Sequence, residues 1–179
     1  PTYEDSRPSS VYLSASRFEA EMRDIFRTLP VVATTSAYLP EPGMSLALDL
    51  YGVPLLITRD RDGVVRCFLN ACRHRGAKVL ESDQPVSSAR LSCPYHAWTY
   101  SMQGELIGIP RQETFPSLNK CDLGLVALTC YEAGGFICVG LDHKQAPEHQ
   151  VGTDQICADL EALGLDKMHV YGLRSYVLK

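Results

Sequence analysis

The chain has 179 residues with Lys+Arg 17 against Asp+Glu 21, a formal net charge of −4 and a hydrophobic content of 45%. That length fits one domain with an ample core, or one domain plus part of another. The mildly acidic balance gives no pull toward nucleic acid or anionic lipid, so neither is an expected partner. No apolar run approaches the 18 residues of a membrane span, and the polar start PTYEDSRPSS carries no signal-peptide core. A cytoplasmic location is therefore expected.

Residues 1–13 read as a loose arm. A helix is expected from Ser16, which stands in capping-box relation to Glu19. Phe18, Met22, Ile25, Phe26 and Leu29 follow as one apolar stripe, and Pro30 ends it. From 31 to about 141 the pattern becomes that of strands. Leu46, Leu48 and Leu50 alternate with Ala47 and Asp49. Tyr51-Gly52 turns the chain into a strand over Val53 to Thr58, and Asp60-Arg61-Asp62-Gly63 turns it again into Val64 to Leu69. Short strands are expected at Ala89 to Ser92, Thr99 to Ser101 and Leu106 to Ile109. A last pair, Leu123 to Tyr131 and Phe136 to Leu141, flanks Glu132-Ala133-Gly134-Gly135. Thr153 can cap a second helix stopped by Gly164, and Tyr171 to Leu178 reads as a strand. The fold class is all-β and antiparallel, with an N-terminal helix (1–30), a β domain (31–141) and a C-terminal helical extension (142–179).

Seven cysteines with no secretion signal argue against a disulfide framework. Cys67, Cys121, Cys130, Cys138 and Cys157 read as core thiols. Cys72 and Cys93 differ, because each has a histidine close by. One loop reads Asn70-Ala71-Cys72-Arg73-His74-Arg75-Gly76, the other Cys93-Pro94-Tyr95-His96-Ala97-Trp98-Thr99-Tyr100. A zinc finger pairs like ligands along the chain. Here unlike ligands are paired, Cys-x-His and Cys-x₂-His, which suits a binuclear centre with both thiolates on one metal and both imidazoles on the other. A Rieske [2Fe–2S] cluster has that ligation, and its neutral imidazoles make it less negative and easier to reduce than a four-thiolate cluster. A mononuclear zinc site in a structural interaction module is the alternative from another class.

These two motifs resemble the Rieske domain of the α subunit of ring-hydroxylating (Rieske non-haem iron) oxygenases. The resemblance runs from the first helix to the end of the chain. It implies an antiparallel Rieske (ISP-like) fold, with Cys72 and Cys93 on one iron and His74 and His96 on the other through Nδ1. Respiratory-chain Rieske proteins carry a disulfide where Ala77 and Tyr95 stand, and a serine where Trp98 stands. Fewer donors to the sulfurs imply a potential at the low end of the Rieske range, about −150 mV. Tyr100 matches a tyrosine that donates to a ligand cysteine; packing under the loop is its other reading. Trp98 is expected as a lid over the cluster, and Arg75, more than Arg73, as a source of structural or interface hydrogen bonds. Ala97 replaces a more usual glycine, a change of minor expected effect.

The resemblance further implies an electron-transfer role. A reductase or ferredoxin would supply electrons one at a time. The acceptor would be a mononuclear Fe(II) on a catalytic domain of the same or a neighbouring subunit, in a trimer that hydroxylates or demethylates an organic substrate with O₂. The two-His, one-carboxylate motif of that second iron is not found; Asp142, His143 and His149 have the wrong spacing for it. The expectation is that the catalytic domain lies beyond residue 179. A free-standing Rieske ferredoxin is the rival within the same chemistry, and the extension after 141 argues against it.

Overall fold

The computed structural model describes residues 8–141 and 153–172. Among the described residues, ten strands follow one another as β1 (Val31–Thr35), β2 (Met44–Leu50), β3 (Val53–Arg59), β4 (Val65–Leu69), β5 (Val86–Ser87), β6 (Leu91–Ser92), β7 (Thr99–Tyr100), β8 (Leu106–Gly108), β9 (Ala127–Ala133) and β10 (Phe136–Gly140). Seven form one sheet in the order β1-β10-β9-β4-β3-β2-β5, and β6-β7-β8 form a small second sheet. Neighbouring strands are antiparallel throughout.

The strands form where the apolar pattern and turn residues agree. Tyr51 and Gly52 both take positive φ, 53° and 78°, and close the β2–β3 hairpin in the mirror-image turn that suits twisted strands. The β3–β4 turn is organised by Asp60. Its buried carboxylate accepts from the Asp62 and Val64 N–H groups at 3.0 and 2.9 Å and from Arg66 Nε at 2.8 Å. Burial alone would push the Asp60 carboxyl up; these donors outweigh it and hold the group below its ordinary range.

β3 has no polar face because both of its faces are covered. Leu55 and Ile57 join Leu46, Cys67, Leu128, Ile137 and Val139 in the core on one side of the large sheet. Leu56 and Phe68 point to the other side, where Cys72, Leu91, Cys93, Trp98, Tyr100, Met102, Leu106 and Leu125 form a second core. That second core is the body of a lobe carrying both Cys/His loops. Thr58 Oγ1, fully buried on β3, donates to the Met102 carbonyl at 2.8 Å and pins the lobe to the sheet.

Several expectations are corrected. The first helix, α1 (Ala15–Glu21), is capped by Ser14, which accepts from the Arg17 N–H, and not by Ser16. Residues Met22–Phe26 widen into a π-turn, which breaks the i, i+4 register of the stripe. Phe18 and Ile25 stay exposed, so the stripe does not face this domain's core. Part of the supposed loose arm, Ser9–Leu13, is a 3₁₀ turn. The strand expected from Leu123 begins at Ala127, because Asn119 caps a 3₁₀ turn over Lys120–Leu123. Cys121, on that turn, is exposed and not a core residue; Cys67 is buried as expected. The second helix, α2 (Thr153–Ala162), ends before Gly164 at φ 73° as expected. Tyr171 and Gly172 are not in a strand, and the remainder of that expected strand, like Asp142, His143 and His149, lies outside the described residues. No helix of the described residues is long and apolar enough to cross a membrane.

Candidate metal centre

Both ligand-bearing loops are built on one plan. In the first, the Cys72 N–H donates to the Ala77 carbonyl and the Gly76 N–H donates to the Cys72 carbonyl, both at 2.8 Å. In the second, the Cys93 N–H donates to the Trp98 carbonyl and the Ala97 N–H to the Cys93 carbonyl, both at 2.9 Å. The residue four positions after each cysteine closes its turn in the left-handed region, Gly76 at φ 74° and Ala97 at φ 55°. Ala97 thus holds a backbone conformation that favours glycine. A Cβ in that conformation costs on the order of 1 kcal/mol, offset in part by the greater unfolded-state freedom of glycine. Ala97→Gly is expected to leave stability unchanged or raise it by up to about 1 kcal/mol, whereas Gly76→Ala lowers it; urea unfolding of the two variants checks the asymmetry.

The loops bring like ligands together in space although unlike ligands adjoin in sequence. Cys72 and Cys93 are both buried in the same lobe core, where each thiol acts on the other. The half-buried imidazoles of His74 and His96 lie with ring centroids 4.7 Å apart. Among the described residues, no three His, Cys, Asp or Glu side chains close around a single ion. Two cysteines beside two histidines supply the donor set of a binuclear group.

The clearest mark of a missing partner is His74 Nδ1. It is buried and has no hydrogen-bond partner. Burial first, then repulsion from His96 and Arg75, hold the His74 imidazole below its ordinary pKa, in the neutral form that binds metals. Burial pushes the Cys93 thiol up, against the Tyr95 and His96 backbone N–H groups that donate to its sulfur. These donors would stabilise a thiolate once a metal replaced the proton. The donor set and the orphaned nitrogen fit a [2Fe–2S] group held by two Cys and two His.

Tyr100 is fully buried, with Oη 3.2 Å from Cys72 Sγ, and it accepts from the Arg73 N–H at 3.0 Å. Either atom can be the donor in the Tyr100–Cys72 contact, and the ring is also packed in the lobe core, so both readings of Tyr100 remain compatible with its place. Burial, then the Cys72 thiol, pushes the phenol up and keeps it a donor. Removing that donor by Tyr100→Phe is expected to lower the potential of the loaded protein by about 50–100 mV, a fraction of a charge-assisted bond expressed in one-electron units. A redox titration checks this.

Trp98 is not a lid. It is buried in the lobe core and stacks on His74 at 4.8 Å with the planes 9° apart, so it fixes the imidazole plane from within. Arg75 is exposed and donates no hydrogen bond among the described residues; its charge repels a proton on His74.

Three contributors were missed in the sequence. Asn70, buried, accepts from the Val79 and Leu80 N–H groups and donates to the Leu80 carbonyl at 2.7 Å, clamping the first loop. A polar residue directly after an apolar strand was its available signal. Phe115 arrives from a third loop, edge-on to His74 and Trp98 at 6.3 and 6.2 Å. Exposed Tyr95 lies over His96 at 3.8 Å. Phe115 had no local sequence signal, whereas Tyr95 adjoins His96 within the motif itself.

Comparison with known proteins agrees with this chemistry. The chain is 32% identical over 156 residues to the glycine betaine monooxygenase oxygenase subunit of Pseudomonas aeruginosa (strain UCBPP-PA14), covering 87% of this chain and 35% of that protein. It superposes with a TM-score of 0.72 and 28% identity on a quaternary ammonium Rieske monooxygenase whose structure bears on carnitine oxidation and inter-subunit electron transfer, covering 88% of this chain and 42% of that one. With naphthalene 1,2-dioxygenase the TM-score is 0.65 at 31% identity, covering 73% and 30% of the two chains. The chain thus spans about a third of the length of the first curated relative. The family model described as Rieske [2Fe-2S] domain matches residues 30–131. That span contains both Cys/His loops, Tyr100 and strands β1 to β8, and the chain belongs to the Rieske [2Fe-2S] domain family.

Proposed function

We propose that Cys72 and Cys93 hold one iron of a [2Fe–2S] cluster, that His74 and His96 hold the other through Nδ1, and that the chain is the electron-transfer part of a Rieske oxygenase α subunit. The observation that carries the ligand assignment is the buried, partnerless Nδ1 of His74 beside His96. When bound, the cluster supplies reversible one-electron storage.

The chain's residues set the conditions for that chemistry. Cys72 and Cys93 sit in a dry core, which restricts solvent around the sulfur side. His74 and His96 are half-buried, so their ring edges form the side of the site nearest the surface. Trp98 stacks on the His74 ring, and Tyr100 Oη lies against the Cys72 sulfur, placed to donate to it once that sulfur is a metal-bound thiolate. With Trp98 where a respiratory protein has a donor serine, the potential belongs at the low end of the Rieske range, about −150 mV.

By this reading, residues 1–30 are an arm and helix, 31–141 the cluster domain, and 142–179 an extension toward a catalytic domain. A reductase or ferredoxin supplies electrons, and a mononuclear iron of the same or a neighbouring subunit, within a trimer, receives them to oxidise an organic substrate with O₂. The relatives described above support an oxygenase more than a free-standing carrier, since this chain corresponds to part of an oxygenase in each. The test is an anaerobic reductive titration of the cluster-loaded chain. One electron per chain is expected, with equal iron and acid-labile sulfide; a colourless zinc protein, or uptake of no electrons, overturns the proposal.

A further inference from the structure

Cys138 and Cys157 are expected from sequence as core thiols, yet both are only partly buried, and among the described residues neither packs in the sheet core or in the lobe core. Cys67, by contrast, is buried within the sheet core, and Cys130 packs against it. Strand alternation sets the direction of Cys138. Its neighbours on β10, Ile137 and Val139, are fully buried in the sheet core, so Cys138 points to the opposite face. There it stands directly across from Tyr131 on β9, and cross-strand partners share a face.

α2 rests on the tip of the same hairpin. Of its residues 155–162, only Cys157 and Leu160 are partly buried; three positions apart, they form one inward face of the helix. The glycine at the hairpin tip makes room for that face. A Cβ on Gly134 would lie 3.3 Å from Cys157 Cα and 3.0 Å from Leu160 Cδ1. The Cys157 thiol acts on both Cys138 and Tyr131, which places it over the face they share. A ten-residue helix is marginal alone. Ile156 and Leu163 stay exposed, so one leucine and one thiol make its apolar seat.

We propose that Cys138 and Cys157 form a reversible dithiol site, closed to a disulfide by exchange with a small soluble disulfide such as oxidised glutathione, and that the closed form clasps α2 to the β9–β10 hairpin. The Cys157 thiolate attacks one glutathione sulfur; the glutathione S–S bond breaks, a mixed disulfide forms and one glutathione thiolate leaves. The Cys138 thiolate then attacks the Cys157 sulfur and displaces the second glutathione. In all, the two protein thiols lose two electrons and two protons, and oxidised glutathione takes them up as two thiols. Burial holds the Cys138 thiol above its ordinary pKa, with Tyr131 opposing and Cys157 adding to the effect, so Cys138 is the resolving and not the opening thiol. The bond closes a loop of about 20 residues, which constrains the unfolded chain and ties the segment after β10 to the cluster-bearing sheet. Cys72 and Cys93 take no part, since both lie in the lobe core.

Thiol mapping of the cluster-loaded chain tests this. The protein is held anaerobically in oxidised glutathione, its remaining thiols are capped with N-ethylmaleimide, and the digest is read by mass spectrometry. The expected product links the Cys138 and Cys157 peptides, with the Rieske spectrum unchanged and the link reversed by reduced glutathione. Amide hydrogen exchange over residues 155–162 is expected to slow at least about tenfold in the linked form. Cys138→Ser is expected to stop at one glutathione on Cys157, and Cys157→Ser to form no link. Absence of the Cys138–Cys157 link in the folded chain, or a link that forms only in urea, overturns the proposal. So does a glutathione adduct that persists on Cys157 of the unaltered chain while Cys138 stays reduced. A link that leaves exchange over α2 unchanged shows that the thiols meet without seating the helix, and overturns the clasp.

Discussion

His74→Cys is expected to lower the midpoint potential by about 250 mV or more, from near −150 mV toward the −400 mV of four-thiolate clusters, or to abolish cluster binding. The cause is charge. The neutral imidazole whose Nδ1 lies buried without a partner would be replaced by a thiolate, and the reduced state would then carry one more negative charge. The surroundings add to the effect. Trp98 stacks on the ring that is removed, and Phe115 closes its edge, so a shorter side chain leaves a gap beside the metal side. Some of the pH dependence of the potential should disappear with the imidazole, leaving that of His96. A potentiometric titration of both proteins measures the shift, and an unchanged potential with an unchanged spectrum contradicts His74 as a ligand.

Gly104→Ala is expected to destabilise the domain by about 2–4 kcal/mol, the sum of a left-handed backbone and an overpacked core. Gly104 has φ 86°, and a Cβ there would run into the ring edge of Phe68. Phe68 has little room to yield. It is buried on β4, paired with Leu56 on one side and Ala127 on the other. The Gly104 carbonyl also accepts from the Leu125 N–H at 2.7 Å, and the preceding turn carries the Met102 carbonyl bound by Thr58. The collision therefore falls on the seam between the cluster lobe and the large sheet. Phe68→Leu in the same chain should relieve the collision but not the backbone strain, so the double variant should be more stable than the sum of the singles implies. Urea unfolding of the four proteins measures this; strict additivity would show that Phe68 is not the obstacle.

What was legible in the sequence was mostly local. The hairpins could be read because turn residues sit at their tips: Tyr51-Gly52, Asp60 to Gly63 and Gly134-Gly135 all take the positive φ values their turns need at one or more positions. The central strands could be read because their apolar runs were short and bounded. The cluster loops could be read because Cys-x-His and Cys-x₂-His together are a specific pattern. Long-range partners were not legible. Nothing local in Val31–Thr35 says that it pairs with β10 at the far end of the domain, and two-residue strands such as β5 exist only through their neighbours. Asn70, Phe115 and the orientation of Trp98 are likewise tertiary facts: an anchored loop, a third loop and an inward stack. The first helix shows the limit of periodicity. Its apolar stripe was real, but a π-turn shifted the register and left Phe18 and Ile25 outside the domain's core.

The central claim is that two imidazoles and two thiolates share one pair of irons. Pulsed EPR of the reduced protein tests it most directly. Two inequivalent nitrogen couplings from directly bound imidazoles are expected, both present in the unaltered chain and one lost in His96→Cys. A reduced cluster with no nitrogen coupling, or a protein that binds one zinc and no sulfide, would contradict it.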